Sequence, residues 1–119
     1  MGIQIGSRQI GEGNPCLIVA EAGSAHQGEL SRAFELIDAA GQAGADCVKF
    51  QVIFADEIVH PRTGSIDLPG GRTPIYQRFR DLERDPSFYA QLKEYSEKRG
   101  LLFLCSAFGP GSASPFSPH

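Results

Sequence analysis

Three apolar runs in this sequence each deliver a polar side chain of a type that does chemistry. Cys16-Leu17-Ile18-Val19-Ala20 leads into Glu21, then a small-residue turn, Ala22-Gly23-Ser24-Ala25, and then His26-Gln27-Gly28. Cys47-Val48-Lys49-Phe50-Gln51-Val52 carries an ammonium and an amide inside an otherwise apolar stretch. Leu101-Leu102-Phe103-Leu104-Cys105 leads to Ser106. A carboxylate closing an apolar run is costly to bury without a partner, so Glu21 either meets water at a strand end or serves a site. Lysine is seldom fully buried unless paired, and alternation along a strand puts Lys49 and Gln51 on one face with Cys47 and puts Val48, Phe50 and Val52 on the other. An exposed face of an edge strand is the alternative reading of that pattern. Ser106 is read as a hydrogen-bonder, because no GxSxG elbow surrounds it. Brought together, a carboxylate, an ammonium, an amide and a hydroxyl would suit one anionic small molecule.

The elements that must position these groups are legible from periodicity. Leu30, Ala33, Phe34, Ile37 and Ala40 recur at helical spacing, with Gly44 as a stop signal. Asp85-Pro86 starts another helix whose buried stripe is Phe88, Leu92 and Tyr95, and Lys98-Arg99-Gly100 ends it. Between them lies a long connection, residues 53–84, with a short turn of helix expected near Ala55–Val59 and a helix opened by Pro74 over Ile75, Tyr76, Phe79 and Leu82. Gly70-Gly71-Arg72 reads as a surface loop, since a two-glycine turn alone is too little for a phosphate cradle. Ile3-Gln4-Ile5, Gly6-Ser7 and Arg8-Gln9-Ile10 predict a small hairpin capping the first buried strand. Strand, helix, strand, helix, strand implies a parallel sheet with right-handed crossovers, and in such folds ligands meet the C-terminal ends of the strands. Glu21, Lys49 with Gln51, and Ser106 all gather there.

Composition narrows the class. The chain has 119 residues, enough for one small domain, with 41% hydrophobic and 21% charged residues and a net charge of -3. Scattered basic residues give no nucleic-acid surface and no membrane-binding face. No apolar stretch is long enough to span a bilayer, and Met1-Gly2-Ile3-Gln4 lacks the pattern of a secretory signal. Three cysteines, Cys16, Cys47 and Cys105, each sit in an apolar run. The odd count argues against a disulfide framework and predicts buried thiols in a cytoplasmic protein.

The residues also carry a resemblance. Ala20-Glu21-Ala22-Gly23 with His26 and Gly28, then Asp38-Ala39-Ala40 with Ala43-Gly44-Ala45-Asp46, then Val48-Lys49-Phe50-Gln51, and finally Phe103-Leu104-Cys105-Ser106-Ala107-Phe108 look like the N-terminal part of the N-acetylneuraminate (sialic acid) synthases. That family includes the spore-coat polysaccharide and related nonulosonic acid synthases. The resemblance covers roughly residues 3–111. It implies a TIM barrel that condenses phosphoenolpyruvate with an N-acetylhexosamine such as N-acetylmannosamine, assisted by a divalent metal, Mn or Mg, in a homodimeric enzyme. By resemblance Glu21 matches the catalytic carboxylate, Lys49 the lysine that holds phosphoenolpyruvate, Gln51 a sugar-contacting amide, and Ser106 the position beside phosphoenolpyruvate where the family often has threonine. His26 is placed with the substrate-binding residues. Ala25 stands where the family usually has asparagine, Ala107 where proline is common, and Gly71 with Arg72 where some relatives carry a sugar-binding asparagine.

Length sets the remaining expectations. A closed (β/α)8 barrel takes about 250 residues, so residues 1–111 are read as the N-terminal (βα)2β portion of a barrel preceded by a hairpin, and residues 112–119 as a disordered tail outside the family pattern. The family's metal ligands would follow residue 119, leaving no metal ligand here. The resulting expectation is a transferase fragment inactive alone, and the alternative is a non-catalytic α/β module that self-associates or binds a partner.

Overall fold

A computed structural model describes residues 2–116 of the chain. Its centre is a three-stranded parallel sheet, β3 (Val19–Gly23), β4 (Cys47–Gln51) and β7 (Leu102–Ser106), in the order β3-β4-β7. Helix α1 (Leu30–Gln42) connects the first two strands, and α4 (Pro86–Lys98) precedes the third. Before the sheet lies the hairpin of β1 (Ile3–Ile5) and β2 (Arg8–Ile10). The long connection holds α2 (Ala55–Ile58), a second hairpin of β5 (Ser65–Leu68) and β6 (Gly71–Pro74), and α3 (Ile75–Leu82). That second hairpin is not visible in the sequence, where Gly70-Gly71-Arg72 reads as a surface loop. Its strands are built around Pro69-Gly70, and Asp67 faces Arg72 across the ladder.

The main hydrophobic cluster lies on one face of the sheet. Ala33, Ile37 and Ala40 of α1 and Phe88, Tyr89 and Leu92 of α4 meet Val48, Phe50 and Val52, with Ala20, Ala22, Phe103 and Cys105 packed around them. The expected 3.6-residue stripes and the period-2 alternation of β4 therefore converge as the sequence requires. Tyr95 is only half-buried, because it serves a different contact. Its ring stacks on Phe34 at 4.0 Å, its hydroxyl donates to Asp38 at 2.9 Å, and Arg99 lies 3.3 Å above it while donating to Asp38 at 2.6 Å. This clamp fastens α1 to α4 at the surface. Asp85 caps α4 by accepting from the Ser87 and Phe88 amides.

The first hairpin closes the N-terminal end of the sheet. Arg8 pairs with Asp46 at 2.9 Å, and the same carboxylate accepts from the Ile18 amide at 2.9 Å. A Cβ on Gly6 would fall 2.7 Å from Leu102 Cδ2, so the turn rests directly on the start of β7.

Two expectations are corrected. Cys16 precedes β3 in irregular chain and is exposed; only Cys47 is fully buried, with Cys105 half-buried. The apolar run from Cys16 to Ile18 does not enter the core, because the strand forms only at Val19. The tail is also ordered through residue 116, as a helical turn α5 (Pro110–Ala113) and a 3-10 turn (Ser114–Phe116). Its anchor is polar. The Glu57 carboxylate accepts the Ser112 amide at 3.1 Å, and the buried Ser112 hydroxyl accepts from the amides of Phe108 and Gly109. Residues 117–119 lie outside the described residues. No helix among the described residues is long and apolar enough to cross a membrane.

Candidate functional site

The face of the sheet opposite the core carries the polar groups. Because Ala20, Ala22, Val48, Phe50, Phe103 and Cys105 pack toward the helices, their alternating neighbours Val19, Glu21, Cys47, Lys49, Gln51, Leu102, Leu104 and Ser106 point the other way. Register then sets them in rows. Val19, Cys47 and Leu102 form the first, Glu21, Lys49 and Leu104 the second, and Gln51 pairs with Ser106 in the third. The rows run from the hairpin end toward the C-terminal ends of the strands. Glu21, Lys49, Gln51 and Ser106 thus share one face within two rows.

Lys49 Nζ lies 3.4 Å from Glu21 Oε2, with side chains 38% and 49% exposed respectively. Contacts this open contribute about 0–1 kcal/mol, so the pair is not there for stability. It presents a cation and an anion side by side on an accessible face. The ladder breaks between Glu21 and Gly23. Gly23 has φ +58, and a Cβ there would lie 3.3 Å from Glu21 Oε1 and 3.9 Å from Gln51 Oε1. The carboxylate and the amide therefore converge over a residue without a side chain. Gln51 is held from behind as well, where the Tyr89 hydroxyl donates to its carbonyl at 3.0 Å. Burial pushes the Tyr89 hydroxyl up to about 12, which keeps it a donor at any physiological pH. The Cys105 thiol on the same side is pushed up to about 12 by burial, which disfavours its thiolate. Cys47, in the row beneath Lys49, is also raised, first by burial.

The structure does not bring His26 to this face. The ring is 0% exposed and lies on the core side, with centroids 5.9 Å from Phe50 and 5.1 Å from Phe88. Phe50 and Phe88 pack on the ring, which sets it apart from Glu21, Lys49, Gln51 and Ser106. Its Nδ1 accepts the Gly28 amide at 2.8 Å, and its pKa is lowered, first by burial and then by the nearby Arg84 cation. Arg72 is exposed and pairs with Asp67 at 3.4 Å. Gly23, Tyr89 and Arg84 are the positioning residues that sequence reading did not single out. Gly23 stood inside the first motif, but its close approach to two side chains is a tertiary fact, and nothing local marks Tyr89 or Arg84.

Comparison with known proteins adds an independent line. A sequence model of the NeuB family matches residues 36–116. Over 111 residues the chain is 36% identical to the spore coat polysaccharide biosynthesis protein SpsE of Bacillus subtilis, covering 92% of this chain and 30% of that protein. It is 34% identical over 105 residues to the human N-acetylneuraminate-9-phosphate synthase, covering 83% of this chain and 28% of that one. The crystal structure of N-acetylneuraminic acid (sialic acid) synthetase from Leptospira borgpetersenii, in complex with citrate, superposes with a TM-score of 0.76 at 30% identity, covering 97% of this chain and 37% of that one. The chain thus spans less than a third of the length of the two sequence relatives.

Proposed function

The chain belongs to the NeuB family, and from that premise we propose that its sheet face serves a sialic acid synthase-type transfer, the condensation of phosphoenolpyruvate with an N-acetylhexosamine such as N-acetylmannosamine to give a nonulosonic acid. The observation that carries the reading is the exposed Glu21–Lys49 pair at 3.4 Å, in register with Gln51 and Ser106 on the same face. In this reading the described α/β segment is the N-terminal (βα)2β portion of a TIM barrel, whose ligands sit at the C-terminal ends of the strands. The protein is cytoplasmic and the assembled enzyme is a homodimer.

The chemistry assigns each group a task. C3 of phosphoenolpyruvate attacks the aldehyde carbon of the open-chain sugar and forms the new C–C bond. Water adds at C2, the C2–O bond to phosphate breaks, and a ketone remains. The two protons of the water end on the new hydroxyl and on the departing phosphate. Lys49 holds the phosphoenolpyruvate anion by charge, and Ser106 donates to it from the neighbouring strand. Glu21 acts on the positive charge that develops at C2, as a base toward the water or as an electrostatic stabiliser. Gln51 orients the sugar through its amide. The resemblance also implies a Mn or Mg ion acting as a Lewis acid toward the aldehyde. Among the described residues no three His, Cys, Asp or Glu side chains come together to hold a metal ion. The residues present do not fit that ion, and no step here runs through it.

The test is a titration of phosphoenolpyruvate into the isotopically labelled 119-residue chain. Amide signals at the C-terminal ends of β3, β4 and β7 should shift, and Lys49→Met should weaken the apparent affinity at least about tenfold, the value of one charge-assisted contact. Absence of shifts up to about 10 mM ligand, far weaker than ordinary substrate binding, refutes the assignment. Phosphate release with N-acetylmannosamine and Mn is expected to stay at background for this chain alone, and turnover would refute its reading as an inactive portion.

A second reading, a non-catalytic module that self-associates, has one observation in its favour. Val19 and Leu104 stand 39% and 37% exposed on the open face, whereas parallel sheets are ordinarily covered on both, and the edges β3 and β7 are unpaired among the described residues. A concentration-dependent dimer in size-exclusion chromatography with light scattering, without phosphoenolpyruvate shifts, would favour it.

A further inference from the structure

His26 is unusual for a core residue. Its Nδ1 accepts the Gly28 amide at 2.8 Å, which fixes the ring as the neutral tautomer with the proton on Nε2. That Nε2 is buried without a hydrogen-bond partner among the described residues. An unpaired buried donor is a net cost, so packing alone between Phe50 and Phe88 would be better served by phenylalanine. What phenylalanine cannot supply is the Nδ1 acceptor.

The loop that this acceptor holds is tightly wound. Ala25 donates to Ala22, Gln27 to Ser24 and Glu29 to His26, three successive turns with N···O distances of 3.0–3.1 Å. Gln27 sits at φ +53, a left-handed conformation that a non-glycine residue keeps only when its surroundings enforce it. Two side chains do the enforcing at one residue. His26 takes the Gly28 amide, and Arg84 Nε donates to the Gly28 carbonyl at 3.0 Å. Arg84 is itself tied to the carbonyls of Asp81 at 3.1 Å and Glu83 at 2.6 Å. The Glu83 carboxylate in turn accepts the Ala55 amide at 2.8 Å. The loop leaving β3 is thereby linked to the segment leaving β4. The far end of the same loop is Gly23, the residue over which Glu21 and Gln51 converge.

We propose that His26 is a positioning residue: from the core side of the sheet it grips Gly28 together with Arg84, and so holds the 23–29 loop where Gly23 lets the Glu21 carboxylate and the Gln51 amide meet. Its importance for catalysis rests on the function proposed above; the positioning itself does not. The groups packed on the ring from β4 and α4 are the uncharged Phe50 and Phe88, and the charged group facing it is Arg84.

The experiment is nuclear magnetic resonance of the ligand-free 119-residue chain, so failure to bind phosphoenolpyruvate leaves its readouts untouched. In the wild type at neutral pH, Nδ1 should be unprotonated and Nε2 protonated. His26→Phe keeps the ring volume and removes the acceptor. Gly28 amide exchange should then accelerate about tenfold, and the Glu21 carboxyl and Gln51 side-chain amide signals should move, at a nearly unchanged melting temperature. His26→Asn, whose Oδ1 can take the place of Nδ1, should restore Gly28 protection and both side-chain signals. A protonated Nδ1 in the wild type overturns the proposal. So does a His26→Phe variant with wild-type Glu21 and Gln51 signals, or one that shifts them no differently from His26→Asn. If His26→Phe does not fold, acidification of the wild type decides. The Gly28 amide and the Gln51 side-chain amide must follow the His26 titration, and independence of the two refutes the coupling.

Discussion

Replacing Gly28 by alanine separates two costs that a sequence motif cannot tell apart. The residue has φ +81, and an alanine Cβ would land on the Arg84 guanidinium, 2.6 Å from Cζ. Gly44 provides the control, with φ +85 and open space around the same added atom. Forcing alanine into the left-handed region costs about 1–2 kcal/mol at either site. At Gly44 that is the whole effect. At Gly28 the guanidinium must also move, which breaks its 3.0 Å hydrogen bond to the Gly28 carbonyl, a charged-donor contact of about 1.5–3 kcal/mol. Gly28→Ala should therefore cost about 3–4 kcal/mol, roughly 2 more than Gly44→Ala. Urea unfolding followed by circular dichroism measures both, provided the m-values agree. In an Arg84→Ala background the excess at Gly28 should vanish, a coupling of about 2 kcal/mol in a double-mutant cycle. Equal losses at the two glycines, or a coupling below about 0.5 kcal/mol, the usual scatter for independent sites, would refute the close-approach argument.

Acid should weaken the fold in two stages. Burial, followed by the Arg84 cation, lowers His26 from its ordinary 6.5, so below that value the unfolded chain binds the proton first and stability falls with pH. Asp38 is lowered from its ordinary 3.8, first by the Tyr95 hydroxyl and then by Arg99, and Asp85 first by the Ser87 hydroxyl. Their contributions hold above that value and fade as the pH drops below it. Urea midpoints measured across pH should show both declines, and Asp38→Asn should flatten the lower one. Tyr89→Phe should cost about 1–2 kcal/mol, since it leaves the Gln51 carbonyl without its hydroxyl donor; an unchanged urea midpoint would remove Tyr89 from the support of Gln51.

Much of this molecule is written in local pattern. The alternation of Val48, Phe50 and Val52 with Lys49 and Gln51 requires only a strand to put the polar pair on one face. Asp85-Pro86 starts α4 by capping chemistry confined to a few residues. With parallel strands in sequence order, local pattern gathers Glu21, Lys49, Gln51 and Ser106 at the C-terminal ends of the strands, but the runs before Glu21 and Ser106 do not alternate, so only the register between strands sets all four on one face. The rest depends on closures across long stretches of chain. Arg84 meets Gly28 from 56 residues away, Glu57 meets Ser112 from 55, and Tyr89 meets Gln51 from 38. No period marks such partners, because each contact exists only after the sheet and helices have docked. For the same reason His26 looked like part of the ligand face. Its neighbours Glu21 and Gly28 belong to one motif, but the turns after Gly23 carry its ring behind the sheet, between Phe50 and Phe88.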